Sequence, residues 1–150
     1  MADLRDLYQE VILDHHKKPR NFRKLENANR QAEGFNPLCG DRLSVFIQIE
    51  NGVVKDIGFV GTGCAISTAS ASMMTESLKG KTETEAKAIF ERFHQLVTNH
   101  SEAQPDPVTL GKLAVFSGVR EYPVRVKCAT LAWHTMRAAL EETKETVATE

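Results

Sequence analysis

Leu43-Ser-Val-Phe-Ile-Gln-Ile-Glu50, Asn51-Gly52 and Val53-Val-Lys-Asp-Ile-Gly-Phe-Val60 form the run that decides the fold. Both flanks are rich in β-branched and aromatic residues and partly alternate, as half-buried strands do. Asn51-Gly52 is the strongest short hairpin signal, because both central positions of a type I′ turn need positive φ. The run therefore predicts an antiparallel hairpin. A hairpin brings its open ends together, so Gly61-Thr-Gly-Cys64 is expected beside Pro37-Leu-Cys-Gly-Asp41.

Around the hairpin the pattern turns helical. Leu4, Leu7, Tyr8, Val11 and Ile12 form one stripe of an amphipathic helix. Pro19 stops it, with His15 and His16 at the end where the helix dipole favours positive charge. Lys17–Arg30 carries six basic residues against Glu26 alone, a solvated stretch or a docking surface for an acidic partner. Gly34–Asp41 reads as a turn-rich approach to the first strand. Cys64–Leu78, packed with Ala and Ser, reads as a helix stopped by Gly80, with Ile66, Ala69 and Met73 facing the core. Thr82-Glu-Thr-Glu85 matches a capping box ahead of Ala86, Ile89, Phe90, Phe93 and Val97 at helical spacing. Pro105-Asp-Pro107 marks a loop, and Leu110–Val119 is ambiguous, with a turn expected at Gly118. Pro123 suits the first turn of a last helix running through Trp133 and Met136 to about Lys144, beyond which the end frays. The fold class is α+β.

Composition narrows the function. The chain has 150 residues, enough for one domain with its own core. A net charge of -1 and a pI near 6.5 argue against bulk nucleic-acid affinity. No apolar run approaches the ~20 residues of a membrane span, and Met-Ala-Asp-Leu-Arg-Asp lacks the order of a signal peptide. The expectation is a cytoplasmic protein in a reducing compartment, touching neither membrane nor nucleic acid. Three cysteines there suit free thiols or metal ligands better than disulfides.

Cys39 and Asp41, two apart, share a face if the segment is extended. Cys64 follows Gly-Thr-Gly at a helix N-terminus, where unpaired N–H groups favour a thiolate. Cys128 follows Arg125 and Lys127 near the start of another helix. Three Cys and one Asp are a plausible set for tetrahedral zinc or an iron–sulfur cluster. Spacing alone leaves three alternatives open: small buried hydrophobes, a joint metal site, or a lone catalytic thiol. His134 lies roughly 120° around the helix from Cys128 and does not compete as a ligand. His94 and His100 read as surface residues. Gly58-x-x-Gly61-x-Gly63 has the wrong glycine order for a dinucleotide fingerprint.

At these residues the chain resembles the IscU/NifU-type iron–sulfur assembly proteins, in particular the SufU branch. The resemblance rests on Tyr8 with Asp14-His-His-Lys-Lys-Pro-Arg-Asn21, on Asn36-Pro-Leu-Cys-Gly-Asp41, on Gly63-Cys-Ala-Ile-Ser67, and on Arg125-Val-Lys-Cys-Ala-Thr-Leu-Ala-Trp-His134. It implies a single domain over 1–150, with a small antiparallel sheet of about three strands packed with several α-helices. Scaffold-type members carry His just before the third cysteine, where this chain has Lys127, and they have a shorter segment between the second and third cysteines. Lys127 and the extra Gly111–Pro123 region therefore look like SufU.

That branch implies a zinc-bound sulfur carrier rather than an independent turnover enzyme. It accepts persulfide sulfur from a pyridoxal-phosphate cysteine desulfurase of the SufS type and serves the downstream iron–sulfur assembly machinery. The implied ligands are Cys39, Asp41, Cys64 and Cys128, with Cys39 the persulfide acceptor and Arg125 and Lys127 in support. Four protein ligands leave no open position for an activated water, which argues against a zinc hydrolase. Sulfur transfer needs a free nucleophile, so docking is expected to supply a replacement ligand from the desulfurase. The alternative is a scaffold on which an iron–sulfur cluster is assembled at the same residues and handed on. A purely structural zinc domain that docks other proteins is a third reading.

Overall fold

The Asn51-Gly52 turn forms as its chemistry dictates, with φ of 54° and 76° at the two central residues. In the computed structural model, which describes residues 4–37, 40–98, 113, 115, 116, 118, 119, 122–142 and 147–148, this turn joins β2 (Asp41–Glu50) to β3 (Val53–Thr62). The predicted hairpin is thus the centre of the sheet. It runs in register from Glu50↔Val53 to Arg42↔Thr62, with an irregularity between Gln48 and Ile49.

On the other side of β2 lies β1 (Arg30–Asn36), antiparallel and paired from Arg30↔Ile47 to Asn36↔Asp41. The sequence reading placed a turn-rich approach from Gly34 onward, over the last three residues of this strand, and no strand before it. Its charged and glycine-containing sequence hides a strand whose inward residues, Ala32, Gly34 and Asn36, are small or polar. The cause is close packing. A Cβ on Gly34 would sit 2.0 Å from Thr135 Oγ1, so the helix behind leaves no room for a larger residue. A two-residue strand β4 (Val147–Ala148) runs parallel to β1 and completes the order β3-β2-β1-β4. The expected antiparallel sheet of about three strands is therefore present, with β4 added where fraying was expected.

Four helices accompany the sheet among the described residues: α1 (Leu4–Lys17), α2 (Ala65–Leu78), α3 (Glu83–Thr98) and α4 (Pro123–Leu140). Pro123 occupies the first turn of α4 as expected, but the helix stops at Leu140, with Glu142 at φ 57° just beyond. The capping box before α3 is real: Thr82 N–H donates to Glu85 Oε1 and Glu85 N–H to Thr82 Oγ1, both at 3.1 Å. Ala86, Ile89, Phe90, Phe93 and Val97 are buried as their spacing predicts. Val11 and Ile12 pack against the core, whereas the side chains of Leu4, Leu7 and Tyr8 lie outside the described residues, as do Pro105–Pro107 and Lys144. Leu113, Phe116 and Val119, from the ambiguous stretch, are buried.

The core lies between the sheet's inner face (Leu43, Val45, Ile47, Ile57, Phe59) and helices α2 and α4, with Trp133 fully buried. On the outer face the basic stretch after α1 crosses the sheet, burying Leu25 and coming so close that a Cβ on Gly58 would meet Arg23 O at 2.5 Å. So this stretch is partly structural. Buried His15 explains its start: His15 Nδ1 lies 2.7 Å from Ser72 Oγ, which also accepts Arg20 N–H at 2.8 Å. His15, read from sequence as a helix-end charge, instead ties the end of α1 to α2.

Candidate metal centre

The open end of the hairpin is where the chemistry collects. Asp41 begins β2 and is 1% exposed, an unusual place for a carboxylate unless it is held by donors. Three residues bring Cys64 to it. Gly61 has φ 154°, and a Cβ there would lie 2.2 Å from Arg42 O. Thr62 ends β3 opposite Arg42. Gly63 lets the chain pass Asp41, since its Cβ would come within 3.1 Å of Asp41 Oδ1. Cys64 then donates its backbone N–H to Asp41 Oδ1 at 2.9 Å.

Cys64 is the N-cap of α2, and its Sγ accepts the Ser67 N–H at 3.4 Å. A thiolate in the N-cap position takes up one of the donors that every helix start leaves unpaired. Cys128 reaches the same spot from α4. It lies in the second turn of α4, near the helix start as expected, and is fully buried. Small residues make the approach of α2 to α4 possible: Ala69, Ser70, Ala129 and Ala132 are all buried. Ser70 Oγ–H donates to Ala129 O at 2.6 Å and accepts Trp133 Nε1–H at 3.0 Å, joining the helices within the turns that follow the cysteines.

The result is a set of ligand atoms from Asp41, Cys64 and Cys128 that all lie within 4.8 Å of one another. Tetrahedral zinc, with Zn–S near 2.3 Å, sets sulfurs roughly 3.8 Å apart, so small side-chain adjustments suffice to close on an ion. Two sulfurs and a carboxylate oxygen fit zinc, which accepts both donor types. The donor set fits the implied metal. Cys39 lies outside the described residues, between the end of β1 and Asp41, in a segment closed by Gly40 N–H donating to Asn36 O at 2.8 Å. Arg125 is exposed and Lys127 half-buried on the first turns of α4, and among the described residues neither side chain makes a hydrogen bond or ion pair.

His134 is remote from this cluster, as its angular offset predicted. Its ring packs edge-on to Phe90 at 5.3 Å and to His94 at 5.6 Å. Burial, and then the nearby His94 and Arg137, push its pKa down. His100 lies outside the described residues. No helix among the described residues is long and apolar enough to cross a membrane. Sequence reasoning missed Asn36, whose buried side chain faces Asp41 and Cys128. It had been marked by its position in the turn-rich stretch before Pro37 and by the block Asn36–Asp41, neither of which assigned its side chain a role.

Comparison with known proteins agrees with this geometry. Residues 7–129 match the family described as the NifU-like N terminal domain. The chain is 39% identical over 135 residues to the zinc-dependent sulfurtransferase SufU of Bacillus subtilis, covering 90% of each protein. It is 36% identical over 141 residues to the iron–sulfur cluster assembly scaffold protein IscU of Streptococcus pyogenes, covering 94% of this chain and 87% of that one. A crystal structure from Fervidobacterium islandicum, of a protein provisionally named an iron–sulfur cluster assembly scaffold for the SUF system, superimposes with a TM-score of 0.80 at 36% identity. The match covers 87% of this chain and 94% of that one.

Proposed function

The chain belongs to the NifU-like N-terminal domain family, and from that premise we propose that it is a zinc-dependent sulfur carrier for iron–sulfur cluster assembly, acting as one domain in the cytoplasm. The convergence of Asp41, Cys64 and Cys128 carries the reading. Cys39, two residues before Asp41, is the fourth ligand and the group that accepts sulfur. Bound zinc would hold the thiolates together and offset their charge.

The donor is a SufS-type cysteine desulfurase bearing a persulfide. The Cys39 thiolate attacks the outer sulfur of that persulfide, forming a new S–S bond on Cys39. The desulfurase S–S bond breaks, its cysteine leaves as a thiolate, and there is no net oxidation. Cys39 must therefore be free at that moment, which its place in the β1–β2 connection favours over the buried Cys128. Asp41, Cys64 and Cys128 keep the metal meanwhile. Arg125 and Lys127, at the α4 end nearest Cys128, steady the thiolate and persulfide charge. The sulfur then passes to the downstream assembly machinery.

A desulfurase turnover assay together with elemental analysis tests this. Wild-type protein is expected to carry stoichiometric zinc and stimulate the desulfurase. Cys39→Ser should keep the circular dichroism spectrum and lose the stimulation, and full stimulation by that variant would overturn the assignment. The same donor set also suits a scaffold, the role named for the Streptococcus pyogenes relative. A stable, coloured, stoichiometric cluster after anaerobic loading with iron and sulfide would favour that second reading.

A further inference from the structure

Asn36 is the last residue of β1, opposite Asp41 in the sheet register, and it is fully buried. Its Nδ2 lies 3.4 Å from Asp41 Oδ2 and 3.7 Å from Cys128 Sγ. Both contacts are long, the second because sulfur is large, and one amide group spans the two acceptors. The orientation follows from what it faces: turned over, its carbonyl oxygen would lie against a carboxylate and a sulfur. The backbone carbonyl oxygen of Asn36 also accepts the Gly40 N–H at 2.8 Å.

The donors around the cluster divide cleanly. Asp41 Oδ1 receives the Cys64 N–H, and Cys64 Sγ receives the Ser67 N–H. Those are backbone donors supplied by the start of α2. The contacts to Asp41 Oδ2 and Cys128 Sγ come from the Asn36 side chain, which thus links the sheet's ligand to the ligand on α4. Groups that donate to metal ligands orient them, and their loss weakens metal binding about ten- to hundredfold.

We propose that Asn36 is a positioning residue, whose amide holds Asp41 and Cys128 in place so that the metal stays bound while Cys39 is released to accept sulfur. The inference rests on the zinc reading above. Its particular consequence is that dependence on Asn36 grows when Cys39 is absent. With four ligands, Cys39 helps fix the ion. With three, the alignment of Asp41 with Cys128 depends more on the amide that spans them.

The test compares Asn36→Leu, which removes the donor at similar volume, with wild type, each with and without Cys39→Ser. Zinc affinity is measured by competition with a chromophoric chelator, and zinc loss by the rate of transfer to excess chelator. The apo-protein thermal midpoint is recorded alongside. The expected result is about a tenfold loss of affinity from Asn36→Leu alone and closer to a hundredfold in the Cys39→Ser background, with faster zinc loss. A merely structural role for Asn36 would lower the apo midpoint and leave both zinc measurements unchanged, which overturns the proposal. Equal losses in the two backgrounds also overturn it. If Asn36→Leu does not fold, Asn36→Ala, which also removes the donor, carries the same comparison. Wild-type protein that binds no zinc would instead refute the zinc reading, and this inference with it.

Discussion

Replacing Ser70 with alanine should leave a buried indole N–H without its acceptor. Ser70 Oγ is at once a donor to Ala129 O at 2.6 Å and the acceptor for Trp133 Nε1–H at 3.0 Å, with both residues fully buried. Ala129 O keeps its helical partner in Ser70→Ala, so the donated bond costs only about 1 kcal/mol. The indole N–H is different. Trp133 is stacked on Phe93 at a centroid distance of 4.5 Å and has no exposed surface, so neither water nor a small rotation restores a partner. An orphaned buried donor adds about 1–3 kcal/mol, giving about 2–4 kcal/mol in all. For a chain of this size that lowers the thermal midpoint by roughly 4–16 °C. The assay is urea unfolding followed by circular dichroism with chelator present, which removes any metal contribution. Trp133→Phe provides the control, because it deletes the indole N–H. In that background Ser70→Ala should cost only about 1 kcal/mol, leaving a coupling of about 1–3 kcal/mol in the double-mutant cycle. A coupling near zero would refute the reasoning. It would mean that the indole N–H of Trp133 adds nothing to the tie between α2 and α4, leaving packing and the Ser70 bond to Ala129 O.

Two further outcomes follow from other parts of the molecule. Gly61→Ala sets a Cβ against backbone atoms of the neighbouring strand, 2.2 Å from Arg42 O and 2.6 Å from Leu43 Cα. It should destabilise by about 2–4 kcal/mol and reduce zinc content, because the hairpin end carrying Asp41 and Cys64 must open; an unfolding free energy within about 0.5 kcal/mol of wild type would contradict this. His134 gives a pH signature. Its pKa is lowered in the folded protein by burial, then by His94 and Arg137, so as pH falls below about 6.5 the unfolded chain takes up a proton that the folded chain refuses. This stability contribution is complete above pH 6.5 and lost below it. The fall in unfolding free energy of the apo protein from pH 7.5 to 5.5 should therefore be shallower in His134→Gln, and an identical pH profile would refute the assignment.

What the sequence disclosed about this fold depended on whether a residue's chemistry acts locally. Asn51-Gly52 imposes its turn whatever surrounds it, and Thr82 and Glu85 cap α3 with their own side chains. Cys64, at a helix start after a glycine pair, announced its place in the same way. β1 was hidden because its inward side is shaped by α4: Gly34 is required by Thr135, more than a hundred residues away in sequence. His15 looked like a charge at a helix end because its partner Ser72 belongs to another helix. Cys128 was expected near the start of α4 and lies there, but whether its thiol met water or the core stayed open in the sequence, because its burial depends on the elements packed against that turn.

Asn36 is the most instructive of these, because its two roles differ in range. As a turn residue before Pro37 it was visible, and its carbonyl does close the turn to Gly40. Its side chain, however, acts across β-sheet register on Asp41 and across the core on Cys128. That division fits the demands on a sulfur carrier. In the proposed role Cys39 leaves the metal to take up sulfur while Asp41, Cys64 and Cys128 stay behind. Asp41 is held from a distance in sequence by the Cys64 N–H and Cys128 by burial in α4 beside an amide from the sheet, whereas Cys64 is held locally by the Ser67 N–H at the start of α2. A site built wholly from local signals would be easy to read and would let go of its metal with its first ligand.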